Sequence, residues 1–364
     1  MSFQFCLCCS LIETVIESER ADTSPTFLPY ETTEKQAVAT QTEMNYEDSV
    51  YCLERFAALP ETIRYLTGFD SYAHLMLLYN YLLPDAENLQ YKPRSLTPLN
   101  QLFMTLIKLR QNKEDTCLSI DFNVSRQTVA KIVNQWINFL YLELSEINWW
   151  QDRDTVNAYF PYNFFQLFPN TRIVLDATEI PIEKPTNINA QRMTFSVYKN
   201  RNTLKILVGV SPRGQVTYIS ECYGGSTSDR QIIERSNLVT HCESLFDKKD
   251  AIMADRGIMV QDLFSHMDVH VNTPTTMKGR NQLPSAIVAQ DRRIASKRIH
   301  VERIIGLAKT YKILTTPLPS EKAELANRII KLCFYLVNFK EWPDDGSSRK
   351  VAVEARPGRL RKRK

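Results

Sequence analysis

Two short apolar runs in this chain each end on an aspartate. Arg172 to Leu175, with Ile173-Val174 at its centre, ends on Asp176, and Asp250 to Ala254 ends on Asp255. Runs this short, this apolar and this rich in branched residues are expected as buried strands. Thr203 to Val210 reads as another strand. Pro212-Arg213-Gly214 is a turn, and Gln215 to Glu221 returns as the partner of a hairpin. Val269 to Asn272 is a further short strand. Asp291 to Tyr311 follows as a long helix, with Val301, Ile304, Ile305 and Ala308 as its core face. Strands alternating with helices in this order predict a mixed α/β sheet covered on both faces.

The part before residue 150 has a helical period instead. Glu54 to Leu66 and Tyr72 to Leu83 are amphipathic, and Pro84-Asp85 is expected to break the second run. Thr97-Pro98 is a helix start, a capping threonine before a proline that presets the first turn. Leu99, Leu102, Phe103, Leu106, Ile107 and Leu109 continue it as a core stripe. Cys117 to Phe122 reads as a short helix. Asn123 tolerates the left-handed backbone of a tight turn, and Ser125 caps a second helix through Val129, Ile132, Val133 and Trp136. Such a unit is a helix-turn-helix, which places Arg126, Gln127, Lys131 and Asn134 on the outer face of its recognition helix. An ordinary helical hairpin packed on the next domain fits the same pattern.

Composition sets bounds. With 364 residues and 43% hydrophobic content the chain can fill two modest cores. No run approaches the length a membrane helix needs, and Phe3 to Ile12 lacks the basic flank of a signal peptide. The net charge of +4 permits nucleic-acid binding without arguing for it. Six cations crowd Arg356 to Lys364, as in a solvated tail or a nuclear import signal. The cysteines show no zinc-knuckle spacing and are expected as reduced thiols. Residues 17–47 are polar and aperiodic, and Thr40-Gln41-Thr42 within them resembles the core of peptides that bind dynein light chains. The expected organisation is therefore a disordered segment over 1–47, a helical region over 48–150, an α/β domain over 165–338 and a basic tail over 339–364.

Carboxylates at strand ends face the crevice where open α/β sheets bind ligands, and Glu302 on the long helix can reach the same space. Three converging carboxylates repel one another unless a cation joins them. Hard oxygen donors suit Mg²⁺ or Mn²⁺, and paired ions of this kind activate a water or a 3′-hydroxyl against a phosphodiester. Position alone favours the plainer reading, in which each aspartate is a turn or cap residue and the glutamate is solvated.

A set of ordered segments carries the reading further. They are Val174 to Ile180, Tyr198 to Lys205, Val208 to Pro212 with Gly214, Gly224 to Asp229, Ala254 to Gly257, Lys278-Gly279 and Arg298 to Gly306. This set resembles the DDE endonucleases of Harbinger and IS5-type transposases, closest to their metazoan branch. The segment 60–145 resembles the helix-turn-helix region that precedes them. The resemblance implies a ribonuclease H-like fold, with Asp176, Asp255 and Glu302 as a triad holding two divalent metal ions, Mg²⁺ or Mn²⁺. It also implies double-stranded DNA as substrate, nuclear action, self-association and, in many systems, a Myb-like DNA-binding partner. Lys199, Lys205, Lys278 and Arg298 become candidate phosphate contacts. Asp229 is expected to cap the helix from Gln231, and His300 to pack. Gly257 is expected to let the backbone pass near the metal site, and Gly306 to allow close helix packing. Two features depart from the family: no zinc-finger spacing occurs, and Thr273 to Met277 is unusually polar. A domesticated DNA- or chromatin-binding protein that no longer cuts is the alternative function, and a related nuclease acting on RNA is the third.

Overall fold

The computed structural model describes residues 51–340 except 87–88, 92, 94 and 276–282. The expectations for the amino-terminal segment, Thr40-Gln41-Thr42, Lys278 and the basic tail fall outside the described residues.

The helical region comes first. A 3-10 turn at Glu54–Phe56 precedes helix α1 (Pro60–Thr67), so the expected single run from Glu54 is broken where Pro60 starts a new helix. Helix α2 (Tyr72–Ala86) continues past Pro84, because its last turn absorbs the one missing donor. Helix α3 (Pro98–Gln111) begins as expected, with the Thr97 hydroxyl accepting from the Asn100 N–H. Helix α4 (Asp115–Asp121) and helix α5 (Arg126–Glu146) form the helix-turn-helix. Asn123 takes the left-handed conformation at φ 50°, and Ser125 accepts from the Thr128 N–H. Both choices were legible in the residue types.

The aromatic stretch after α5 is pinned between the two regions. Trp149 stacks on Tyr335, and Trp150 packs edge-on against Phe246. The mixed sheet follows: β1 (Thr171–Pro181), β2 (Phe195–Ser196), β3 (Arg201–Val210), β4 (Val216–Ile219), β5 (Tyr223–Gly224), β6 (Ala251–Met253) and β7 (His270–Asn272). Their order is β2-β3-β1-β6-β7, with β4 and β5 also paired to β3. Strands β1, β6 and β7 are parallel, and β3 is antiparallel to β1. Helices α6 (Ile188–Thr194), α7 (Asp229–Glu234), α8 (Ser285–Ala308) and α9 (Ala323–Val337) complete the described framework. This is the expected mixed α/β, ribonuclease H-like architecture behind an all-helical region.

Strand alternation assigns the two faces of the sheet. Val174, Ile180, Ile206 and Val208 pack into the larger core with Val301, Ile304 and Ala308 of α8. Ile173, Leu175, Leu207 and Ile252 pack into a second core with Ile232 and Ile233 of α7. Asp176 has the parity of Val174 and so belongs to the α8 face. The described helices include none long and apolar enough to cross a membrane.

Candidate active site

Asp176 does not end its strand, contrary to the expectation from sequence. Strand β1 runs on to Pro181 because Ala177 to Pro181 keep pairing with β3, from Leu207 to Thr203. What ends before Asp176 is the other edge: β1 pairs with β6 only as far as Val174↔Met253. Beyond that point β6 gives way to the loop carrying Asp255. The crevice therefore opens at Asp176 through the divergence of its neighbour rather than through the end of its own strand.

Glu302 completes the group from α8, one turn after Arg298. The three carboxylates meet on the Arg298 guanidinium. Its Nη1 lies 2.7 Å from Asp255 Oδ1, and its Nη2 lies 3.5 Å from Glu302 Oε1 and 4.0 Å from Asp176 Oδ1. The arginine side chain is only 12% exposed, whereas Glu302 is 55% exposed. Its Nε is buried with no hydrogen-bond partner. One cation thus faces three anions, a shortage of two positive charges when all three are ionised.

Asp176 is the least exposed of the three carboxylates. Burial pushes its carboxyl up to about 6, and Asp255 and Glu302 add to the rise. Arg298 and the Ala177 N–H, 2.9 Å from Oδ1, only partly oppose it. An open cleft of about 550 Å³ adjoins the group, lined by Asp255, Arg256, Pro274, Asp291, Arg292 and Arg298.

The donor set fits a hard divalent ion: three carboxylates, one of them buried and short of positive charge. Among the described residues, however, no three such groups are close enough to share one ion as they stand. They are spaced around a guanidinium. Closing on a metal would require Arg298 to withdraw.

The other candidates fall in several places. Arg126, Gln127 and Lys131 are exposed at the start of α5. Asn134, one turn further, accepts a hydrogen bond from Lys322 at 2.7 Å, so the rest of α5 is fastened to the α/β half. Lys199 is exposed. Lys205 is not: its ammonium lies between Glu179 at 3.7 Å and Asp229 at 3.3 Å, which engages the charge expected for a phosphate. Asp229 is the first residue of α7 rather than its cap. Ser228 is the cap, in a reciprocal capping box with Gln231. His300 packs against Phe164.

The close packing expected at Gly306 is not there: a Cβ on it would meet nothing within 4 Å, and the same is true of Gly257. Among the described glycines the close approaches are at Gly209, Gly224 and Gly225, whose Cβ atoms would strike the Ile173 side chain, the Met193 carbonyl and the Thr203 hydroxyl.

Lys309 was missed. Burial depresses its ammonium, Lys199 and Arg201 depress it further, and Asp176 and Glu179 oppose them. It lies two helical turns beyond Glu302, a spacing that would have placed it on the same face.

Fold and site together describe a ribonuclease H-like protein with clustered carboxylates at a divergence of parallel strands. Residues 175–338 match the model of the DDE superfamily endonuclease family, and residues 94–146 match the helix-turn-helix of DDE superfamily endonuclease. These two stretches of the chain are thus similar, in order, to the helix-turn-helix and the catalytic domain of DDE superfamily endonucleases. No curated protein matches the chain.

Proposed function

We propose that this protein cuts and rejoins DNA phosphodiesters as a transposase-type nuclease of the Harbinger/IS5 kind, with Asp176, Asp255 and Glu302 as its metal-holding triad. The observation that carries the reading is the meeting of these three carboxylates on one arginine. A divalent ion, or a pair of them, would supply a polarised attacking oxygen and neutralise the leaving one. The chain's own residues do the rest. Asp176, fixed in the sheet, would hold the cation together with Glu302 and Asp255, both more exposed. Arg298, once released, is placed to meet a phosphate with its planar fork. Arg256 and Arg292 line the adjoining cleft and favour an anionic substrate. The exposed Arg126, Gln127 and Lys131 supply a second DNA contact. Double-stranded DNA as substrate, self-association, a Myb-like partner, nuclear action and the four-part domain division belong to the same proposal.

The test is cleavage of a labelled duplex carrying the terminal repeat that flanks the coding sequence, with Mg²⁺ or Mn²⁺. Cleavage by the wild type but not by Asp176→Asn, with DNA binding intact in both, supports the proposal. Binding without cleavage by the wild type overturns it in favour of a non-cutting DNA-binding protein.

A further inference from the structure

Strands β2 and β3 form a small hairpin, with Phe195 opposite Asn202 and Ser196 opposite Arg201. Its tip is the turn Val197-Tyr198-Lys199-Asn200. Asn200 sits at φ 50°, and the Ser196 hydroxyl accepts from the Lys199 N–H. Val197 is 86% exposed and Tyr198 85%, the most exposed large hydrophobic residues described. Ile188 and Met193 of the adjoining α6 are each 66% exposed.

This tip rests on a rigid base. The Asn202 amide donates to the Gln191 carbonyl and the Thr194 hydroxyl. The Ser226 hydroxyl donates to the Met193 carbonyl. Gly224 and Gly225 press so closely on Met193, Thr194 and Thr203 that no side chain fits there. The fold therefore holds an isoleucine, a methionine, a valine and a tyrosine in water in an ordered arrangement, which is unfavourable unless a partner covers them.

Charge identifies the partner. Arg192, Lys199 and Arg201 are exposed around the tip, and the Lys199 ammonium lies over the Tyr198 ring, 4.6 Å from its centroid. The hairpin leads towards the carboxylates, because β3, which starts at Arg201, pairs with β1 and sets Val208 opposite Asp176. An apolar point in a ring of cations is suited to a polyanion that offers flat aromatic faces.

We propose that the Val197-Tyr198 tip is a DNA wedge: Tyr198 stacks on a base of the duplex lying across the carboxylate site, while Lys199, Arg201 and Arg192 hold the flanking phosphates. The proposal rests on the nuclease reading and adds to it a residue that grips and distorts the substrate away from the cutting point.

The experiment uses the full chain without divalent metal, so that the probe stays intact. The probe is a short nicked duplex of mixed sequence, carrying a fluorescent aminopurine base at successive positions from the nick. Polarisation gives affinity, and aminopurine emission reports stacking. Wild type is expected to bind and to change emission at one or two positions. Tyr198→Ala should lose that change and about tenfold in affinity, the worth of one base–aromatic stack. Tyr198→Trp should keep both. Because Tyr198 is exposed, the melting temperature should not move, and an unmoved melt confirms a folded variant. Unchanged affinity and emission in Tyr198→Ala overturns the wedge while leaving the nuclease reading intact. Failure of the wild type to bind overturns the nuclease reading itself. A sedimentation shift from dimer to monomer in Tyr198→Ala, with DNA affinity unchanged, assigns the tip to contact between copies of the chain and also overturns the wedge.

Discussion

The start and the middle of β1 carry ion clusters of similar density and opposite purpose. At the start of the strand, Arg172 lies 2.9 Å from Asp250 and 2.8 Å from Asp247, and Arg153 adds a contact to Asp250 at 3.3 Å. Two guanidiniums meet two carboxylates, and Asp250 is 2% exposed. Further along the strand one guanidinium meets three carboxylates, two of them largely open to water. Burial raises both Asp250 and Asp176, so proton affinity alone does not separate the clusters. The count of charges does. A cluster balanced in charge holds the start of β1 against the segment before β6. An unbalanced one is short of a cation and opens on a cleft.

The comparison breaks first at its balanced end. Asp250→Ala strands a buried arginine and should cost about 3–5 kcal/mol in urea denaturation. A loss under about 1 kcal/mol would remove the contrast.

Asp176→Asn should act in the opposite direction. In metal-free protein at neutral pH it removes a charge that its surroundings disfavour, and should stabilise the fold by about 1–3 kcal/mol. The pH dependence has a fixed sign. The folded state holds its Asp176 proton up to about 6, above the ordinary aspartate value of 3.8. Wild-type stability at this site is therefore fully present below about pH 4 and is lost as pH rises through 6. The variant's advantage should appear over that window and vanish below it, in paired thermal melts. An equal or lower melting temperature for the variant at neutral pH contradicts the account.

Asp255→Asn probes a carboxylate that is 47% exposed. Solvent screening should limit its effect on stability to less than about 1 kcal/mol. The smallest effect concerns DNA affinity. Replacing both Arg126 and Lys131 by Ala should reduce the slope of log affinity against log salt by about 0.9 for each phosphate left without its cation. An unchanged slope would leave α5 as a scaffold.

Local chemistry was legible in the sequence where it depends on near neighbours. Thr97, Asn123 and Ser125 did what their side chains favour, and the branched runs became strands. Pairing across the sheet was not legible. Ala177 to Pro181 read as the end of a strand because Thr178 and Glu179 interrupt the apolar run, yet their partners on β3 carry the strand on. The meeting of Asp176, Asp255 and Glu302 on Arg298 depends on long-range packing, so sequence reasoning reached it only through family resemblance. Lys205 looked like a free cation because its neighbours Glu179 and Asp229 are distant in the chain. Helix α9 was missed despite an apolar stripe through Ala326, Ile329, Ile330, Cys333 and Val337, a helical spacing that could have found it.

Titrating metal-free protein with Mn²⁺ while following its melting temperature, beside Asp176→Asn and Glu302→Gln, tests the cation shortage most directly. The wild type should gain stability with rising Mn²⁺, approaching about 2.7 kcal/mol at a hundredfold excess over the dissociation constant, and both variants should respond weakly. A wild-type melt unmoved by Mn²⁺, or equal gains in all three proteins, would contradict a metal site at these carboxylates.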